Sequence, residues 1–129
     1  MGQRFLIDTN VVIHYVKAEI PATGCDWLAS IFCIATNLSI ISKIELLGWK
    51  ASSKQDEQIY TRFIKDSTLY HLTDEVIDKT VEIRKIYKLK TPDAIITATA
   101  LANNMTLVSR NDADFQRVKH LKYVNPFRL

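Results

Sequence analysis

The stretch "KLKTPDAIITATALANN" (residues 88–104) has one ionisable side chain between Pro92 and Asn104, and that is Asp93, at the mouth of a run of Ala, Ile, Leu and Thr. A helix with no polar face has to be covered on all sides, so the segment predicts a helix buried against a sheet. Its lone carboxylate then needs an explanation. Either Asp93 only caps the helix, or it belongs to a site whose other members lie elsewhere in the chain.

Working outward, short β-rich runs alternate with helical ones, which argues for an α/β domain with a mostly parallel sheet. "RFLID" (4–8) reads as a buried strand followed by the helical "NVVIHYVK" (10–17). A second helix is expected from near Cys25, with Trp27, Leu28, Ile31 and Phe32 on one face. "LSIIS" (38–42), "LYHL" (69–72), "TLVS" (106–109) and a short run in "KYVNPF" (122–127) are the other expected strands. Between them lie helical stretches at 43–51, 56–67 and 74–88, the last with Thr73 as N-cap, acids in its first turn and Arg84, Lys85 and Lys88 near its end. Five strands and about seven helices follow.

At 129 residues, 47% hydrophobic and 24% charged, the chain is expected to form one domain, residues 1–129, with a core of ordinary size. The longest weakly charged stretch, 27–42, is interrupted by Ser, Thr and Asn and is too short for a membrane span. "MGQRFLIDTN" lacks the apolar segment of a signal peptide, so a cytoplasmic location is expected. Cys25 and Cys33 have no Cys-x-x-Cys spacing or partner His and read as small buried hydrophobes. Gly-rich phosphate loops and a Gly-x-Ser-x-Gly elbow are absent, which removes support for P-loop and serine hydrolase chemistry.

Five acids share one grammar, a strand end followed by a helix start. Asp8 ends the first strand, Glu45 lies inside the helix after the second, Asp93 opens the buried helix, and Asp112 and Asp114 follow the fourth strand. Each has a local reading. "SKIE" forms a capping box with Ser42 as N-cap and Glu45 at the third helical position. "TPD" places Thr91 as N-cap, Pro92 first and Asp93 second. Asp8 can cap the first helix, and Asp112 and Asp114 can belong to an Asx-type turn. Capping does not require, however, that the caps meet at the carboxyl edge of one sheet, where ligands of such sheets bind.

If the acids converge, two carboxylates about 5 Å apart at an effective dielectric near 20 repel by roughly 3 kcal/mol. Such a cluster protonates or takes a cation, and an all-oxygen set suits Mg2+ or Mn2+. The expected chemistry is phosphodiester hydrolysis, with Glu45 as the group that orients or deprotonates water. Setting five acids aside leaves nine against 17 basic side chains, a surface that attracts a polyanion.

"LIDTNVVI" (6–13), "SKIELL" (42–47), "KTPDAIITATALANNMTLVSRNDADF" (90–115) and "VNPF" (124–127) together resemble the PIN-domain ribonucleases, and among them the VapC-like toxins of toxin–antitoxin pairs. The resemblance implies a three-layer α/β/α sandwich around a parallel five-stranded sheet of order 3-2-1-4-5, and Mg2+- or Mn2+-dependent cleavage of RNA. It also implies Asp8, Asp93 and Asp114 as metal ligands and Glu45 as a further acid, with Asp112 kept beside Asp114 as an alternative for the fourth place. Thr9, Ser109 and Asn111 match supporting positions. A cognate antitoxin, a homodimer and a transfer or ribosomal RNA substrate are implied likewise.

Arg110, beside the fourth acid, and Lys90, beside Asp93, are the expected phosphate contacts. His14 reads as a helix-face residue, and Trp27 and Trp49 as core or dimer contacts. Three rivals have weaker support. A binding module of the same fold would not need the full set of acids. A receiver-like domain would need an Asp ending the third strand and a Lys ending the fifth, where Leu72 and "VNPF" stand. A flap-cutting nuclease would need a helical clamp for which this chain has no insertion.

Overall fold

A computed structural model describes residues 2–50 and 53–129. Five parallel strands, β1 (Phe5–Ile7), β2 (Asn37–Ser39), β3 (Thr68–Tyr70), β4 (Thr106–Val108) and β5 (Tyr123–Val124), form one sheet in the order β3-β2-β1-β4-β5. Among the described residues seven helices accompany them: α1 (Thr9–Val16), α2 (Ala22–Phe32), α3 (Ile40–Gly48), α4 (Lys54–Lys65), α5 (Asp74–Ile86), α6 (Thr91–Ala102) and α7 (Asp112–Phe115). A 3-10 turn, Pro126–Arg128, closes the chain. The topology is the α/β/α sandwich expected from the resemblance.

The pleat sorts the core. In β1, Leu6 faces Ile96 and Ala100 of α6, while Ile7 faces Val11, Val12, Leu28, Tyr60 and Ile64 from α1, α2 and α4. Leu107 and Val108 divide in the same way. This is the period-two alternation of a strand buried on both faces. On the far side α5 packs on α6 through Val76, Ile83, Ala94 and Ala98.

The opening stretch is α6, buried continuously from Ala94 to Ala100 because the sheet covers one side and α5 the other. Its two interior hydroxyls turn back on the helix, Thr97 donating to the Asp93 carbonyl at 2.8 Å and Thr99 to the Ile95 carbonyl at 2.7 Å. Its closing Asn pair is a Schellman motif. Asn104 takes a left-handed φ of 52°, its amide reaches the Leu101 carbonyl and the Met105 amide reaches the Ala100 carbonyl.

Several expectations shift. The second strand ends at Ser39 and a helix begins at Ile40, so the N-cap is Ser39, whose hydroxyl accepts from the Ile41 amide at 3.1 Å. Ser42 is then buried within the helix, and "SKIE" is not a capping box. Ser39 competes for the cap because it is the last extended residue before the turn. At α6 the N-cap is Lys90, without a side-chain cap, and Thr91 is already helical; the boundary moves one residue and puts Asp93 in the first turn. Thr73 caps α5 as expected, accepting from the Val76 amide at 3.2 Å. The stretch expected to be helical over 43–51 runs to Gly48, and its last residue, Ala51, lies outside the described residues. Cys33 is exposed and Cys25 half-buried, contrary to the buried reading, because α2 ends there and turns Cys33 outward.

Candidate active site

The carboxyl edge of the sheet gathers four acids from four segments. Asp8 leaves β1 and sits at the N-cap position of α1, yet its carboxylate caps nothing. It points instead across the sheet, accepting a hydrogen bond from the Ser109 hydroxyl at 2.8 Å at the end of β4. Asp93 arrives on the first turn of α6, Glu45 on α3 directly after β2, and Asp114 on α7 after β4. The short β1–α1 connection and the Pro92-initiated α6 fix backbone directions here.

Asp8 is 7% exposed. Burial pushes its carboxyl from an ordinary value near 3.8 up to about 6; the Ser109 hydrogen bond opposes the rise and the charges of Asp93 and Glu45 add to it. Asp93 is raised as well, first by burial and then by Asp114 and Glu45, with Lys90 acting the other way. The four carboxylates are therefore close enough to feel one another.

Three of them have a neutral hydrogen-bond partner: Ser109 for Asp8, Thr9 for Glu45 and Asn111 for Asp114. The Thr9 hydroxyl donates to Glu45 Oε1 at 2.6 Å and, having spent its proton, shares a second hydrogen bond with the Ser42 hydroxyl at 2.9 Å. Asn111 caps α7 through the Asp114 amide and donates its own side-chain amide to Asp114 Oδ2 at 2.6 Å. The Asn111 amide donates in turn to the Ser109 hydroxyl at 3.2 Å. Thr9, Ser109 and Asn111 are thus each hydrogen-bonded to one acid of the group, and Ser42, buried in α3, joins them through Thr9 rather than capping the helix. An open recess of about 480 Å3 borders Thr9 and Glu45, with Ile13, Ile44 and Trp49 on its walls.

Asp112 stands apart. Its carboxylate is occupied by the Tyr123 hydroxyl at 2.7 Å, the Asn125 side-chain amide at 3.2 Å and the Arg128 guanidinium at 2.8 Å. These contacts, the Tyr123 hydrogen bond foremost, hold it below the usual carboxylate range. Arg110 is exposed, with its guanidinium stacked over the Phe127 ring at 4.4 Å. Lys90 is exposed next to Asp93. His14 lies 2.9 Å from Glu19 and edge-on to Phe127, Trp27 packs edge-on against Phe5, and Trp49 borders Tyr60 with Lys17 over its ring.

Among the described residues no three acids close into a ready-made metal cage. The donor set still fits a hard cation. Its only strong donors are carboxylate oxygens, Asp8 bears an unfavourable buried charge that a cation relieves, and Mg2+ is commonly held by one or two carboxylates with water completing the shell. No described helix is long and apolar enough to cross a membrane.

The molecule is similar in structure to several solved proteins. A toxin–antitoxin complex from Klebsiella pneumoniae contains a chain 26% identical, with a TM-score of 0.77 over 96% of this chain and 98% of that one. DNA-bound VapBC from Salmonella typhimurium matches at 17% identity and a TM-score of 0.82, covering 97% and 99%. FitAcB from Neisseria gonorrhoeae matches at 22% identity and 0.75, again over 97% and 99%. A sequence search of curated proteins gives no significant match. The sequence signature of the PIN domain matches residues 5–121, nearly the whole sheet and every acid of the cluster, and the chain belongs to the PIN-domain family.

Proposed function

We propose that this protein is a divalent-cation-dependent endoribonuclease and the toxin of a toxin–antitoxin pair. The observation that carries the reading is the convergence of Asp8, Glu45, Asp93 and Asp114 from four segments onto one sheet edge, with Asp8 and Asp93 both pushed up by burial and by their neighbours' charge. A fold uses such a costly arrangement where a cation belongs. Asp8, Asp93 and Asp114 would hold Mg2+ or Mn2+, which when bound would supply a water of lowered pKa and charge neutralisation for a scissile phosphate.

The remaining steps fall to the chain itself. Glu45, aimed by Thr9, orients the attacking water and accepts its proton. Ser109 keeps Asp8 turned toward the cluster, and Asn111 does the same for Asp114. Arg110 and Lys90 receive the flanking phosphates of an RNA strand, and the excess of basic residues over the rest of the surface draws it in. Transfer or ribosomal RNA is the proposed substrate class.

The toxin assignment rests on the similarity to the Klebsiella pneumoniae toxin–antitoxin complex and to VapBC. A cognate antitoxin is the proposed partner. A homodimer is proposed as well, consistent with exposed Ile77 and Val81 one turn apart on α5. The test is incubation with total RNA in Mg2+, Mn2+ or chelator, followed by mapping of new ends. Discrete cation-dependent cuts are expected; no product under any condition refutes the nuclease reading and leaves a binding module.

A further inference from the structure

The turn Pro126–Arg128 is fastened to the loop that carries Asp114 and the Ser109 hydroxyl that holds Asp8. β5 has two residues and is an edge strand, and α7 is a single turn, so neither is stable by its own hydrogen bonding. Asp112 joins them. Its Oδ1 accepts from Tyr123, and the same hydroxyl lies 3.0 Å from the Ser109 carbonyl, sharing its proton between the two acceptors. The Asn125 side-chain amide bridges Asp112 and the Arg110 carbonyl, while its Oδ1 accepts from the Phe127 amide at 2.9 Å. Arg128 closes the ring onto Asp112 Oδ2.

Two features give this clasp its direction. Gly24 of α2 meets the Pro126 carbonyl so closely that a Cβ would lie 1.8 Å from the oxygen, which seats the turn against a rigid helix. Phe127, placed by that turn, is the platform under Arg110. The loop from Ser109 to Asp114 therefore takes its position from the far end of the chain.

We propose that Asp112 is a positioning residue: through Tyr123, Asn125 and Arg128 it sets Ser109, Arg110 and Asp114 relative to Asp8 and Asp93, and takes no direct part at the reacting phosphate. The inference rests on the nuclease reading for its kinetic consequence but not for its structural one. Displacing a catalytic constellation by about 1 Å can cost on the order of 100-fold, so Asp112→Ala is expected to lower kcat by roughly 10-fold to 100-fold. Asp112→Asn, which keeps the acceptor for Tyr123, loses less. Removing Arg110 raises KM in the wild type, and that increment shrinks toward nothing in the Asp112→Ala background, a non-additivity that general destabilisation does not produce.

The experiment is a double-mutant cycle of Asp112→Ala and Arg110→Ala on mapped RNA, with Asp112→Asn and Asp8→Asn alongside, and amide hydrogen exchange of each full-length variant. Faster exchange confined to 109–116 and 123–128 in Asp112→Ala, with the cycle non-additive, is the expected result. Asp112→Asn as inactive as Asp8→Asn overturns the proposal, because Asp112 would then act in the site itself. Unchanged exchange, or additive effects of the two substitutions, overturns it too. If the wild type cuts no RNA, the nuclease reading fails separately and the exchange pattern alone decides the clasp.

Discussion

Replacing Asp8 by Asn is expected to stabilise the fold while removing its activity, and the size follows from burial. The carboxyl moves from near 3.8 when unfolded to about 6 when folded. The folded state thus holds the Asp8 proton more tightly, so its stability is complete below about pH 3.8 and declines as pH rises through about 6. At about 1.4 kcal/mol per pH unit, the gap amounts to about 3 kcal/mol of lost stability at pH 7.5. Asparagine has the same shape, keeps an oxygen for the Ser109 hydroxyl and carries no charge. Urea unfolding in chelator at pH 3.5 and 7.5 is the assay. Asp8→Asn should match wild type at the acid end and exceed it by about 3 kcal/mol at the other. Saturating Mn2+ should narrow the gap, since a ligand of the folded state stabilises only the protein that binds it. An Asn variant less stable than wild type at pH 7.5, or a difference indifferent to pH, would refute the reasoning.

Other outcomes can be checked alongside. Gly24→Ala forces a Cβ against the Pro126 backbone and should lower unfolding stability by about 1–3 kcal/mol in the same urea assay. Ser39→Ala removes the α3 cap and should cost about 1 kcal/mol. Calorimetric titration with Mn2+ should show affinity reduced on the order of tenfold or more in Asp93→Asn but little changed in Asp112→Asn, which separates the two acids directly.

The elements that sequence reading places correctly are those with redundant signals. α6 has a proline start, a long apolar interior and an Asn pair at its end, and its only error is one residue at the cap. Asp8, Glu45 and Asp114 were legible because each follows a strand, a topological fact independent of their local contacts, whereas Asp93 follows α5 and was legible as the lone charge at the mouth of an apolar helix. The rest depended on three-dimensional competition. Ser42 and Glu45 have the spacing of a capping box, but Ser39 reaches the free amide first, and Thr9, 36 residues from Glu45, then claims the carboxylate. Asp112 and Asp114 are two apart and chemically alike. What separates them is a tether to Tyr123, Asn125 and Arg128 that no local pattern encodes. Cys33 illustrates the same limit, since its exposure depends on where α2 ends.

The central claim is that the acids at the sheet edge cut RNA together, and the most direct measurement is the cleavage rate of one mapped RNA by wild type, Asp8→Asn and Asp93→Asn, each verified as folded by its urea midpoint. Both variants should lose about 100-fold or more in rate while remaining at least as stable as wild type at neutral pH. Cleavage that persists undiminished in either folded variant would contradict the account.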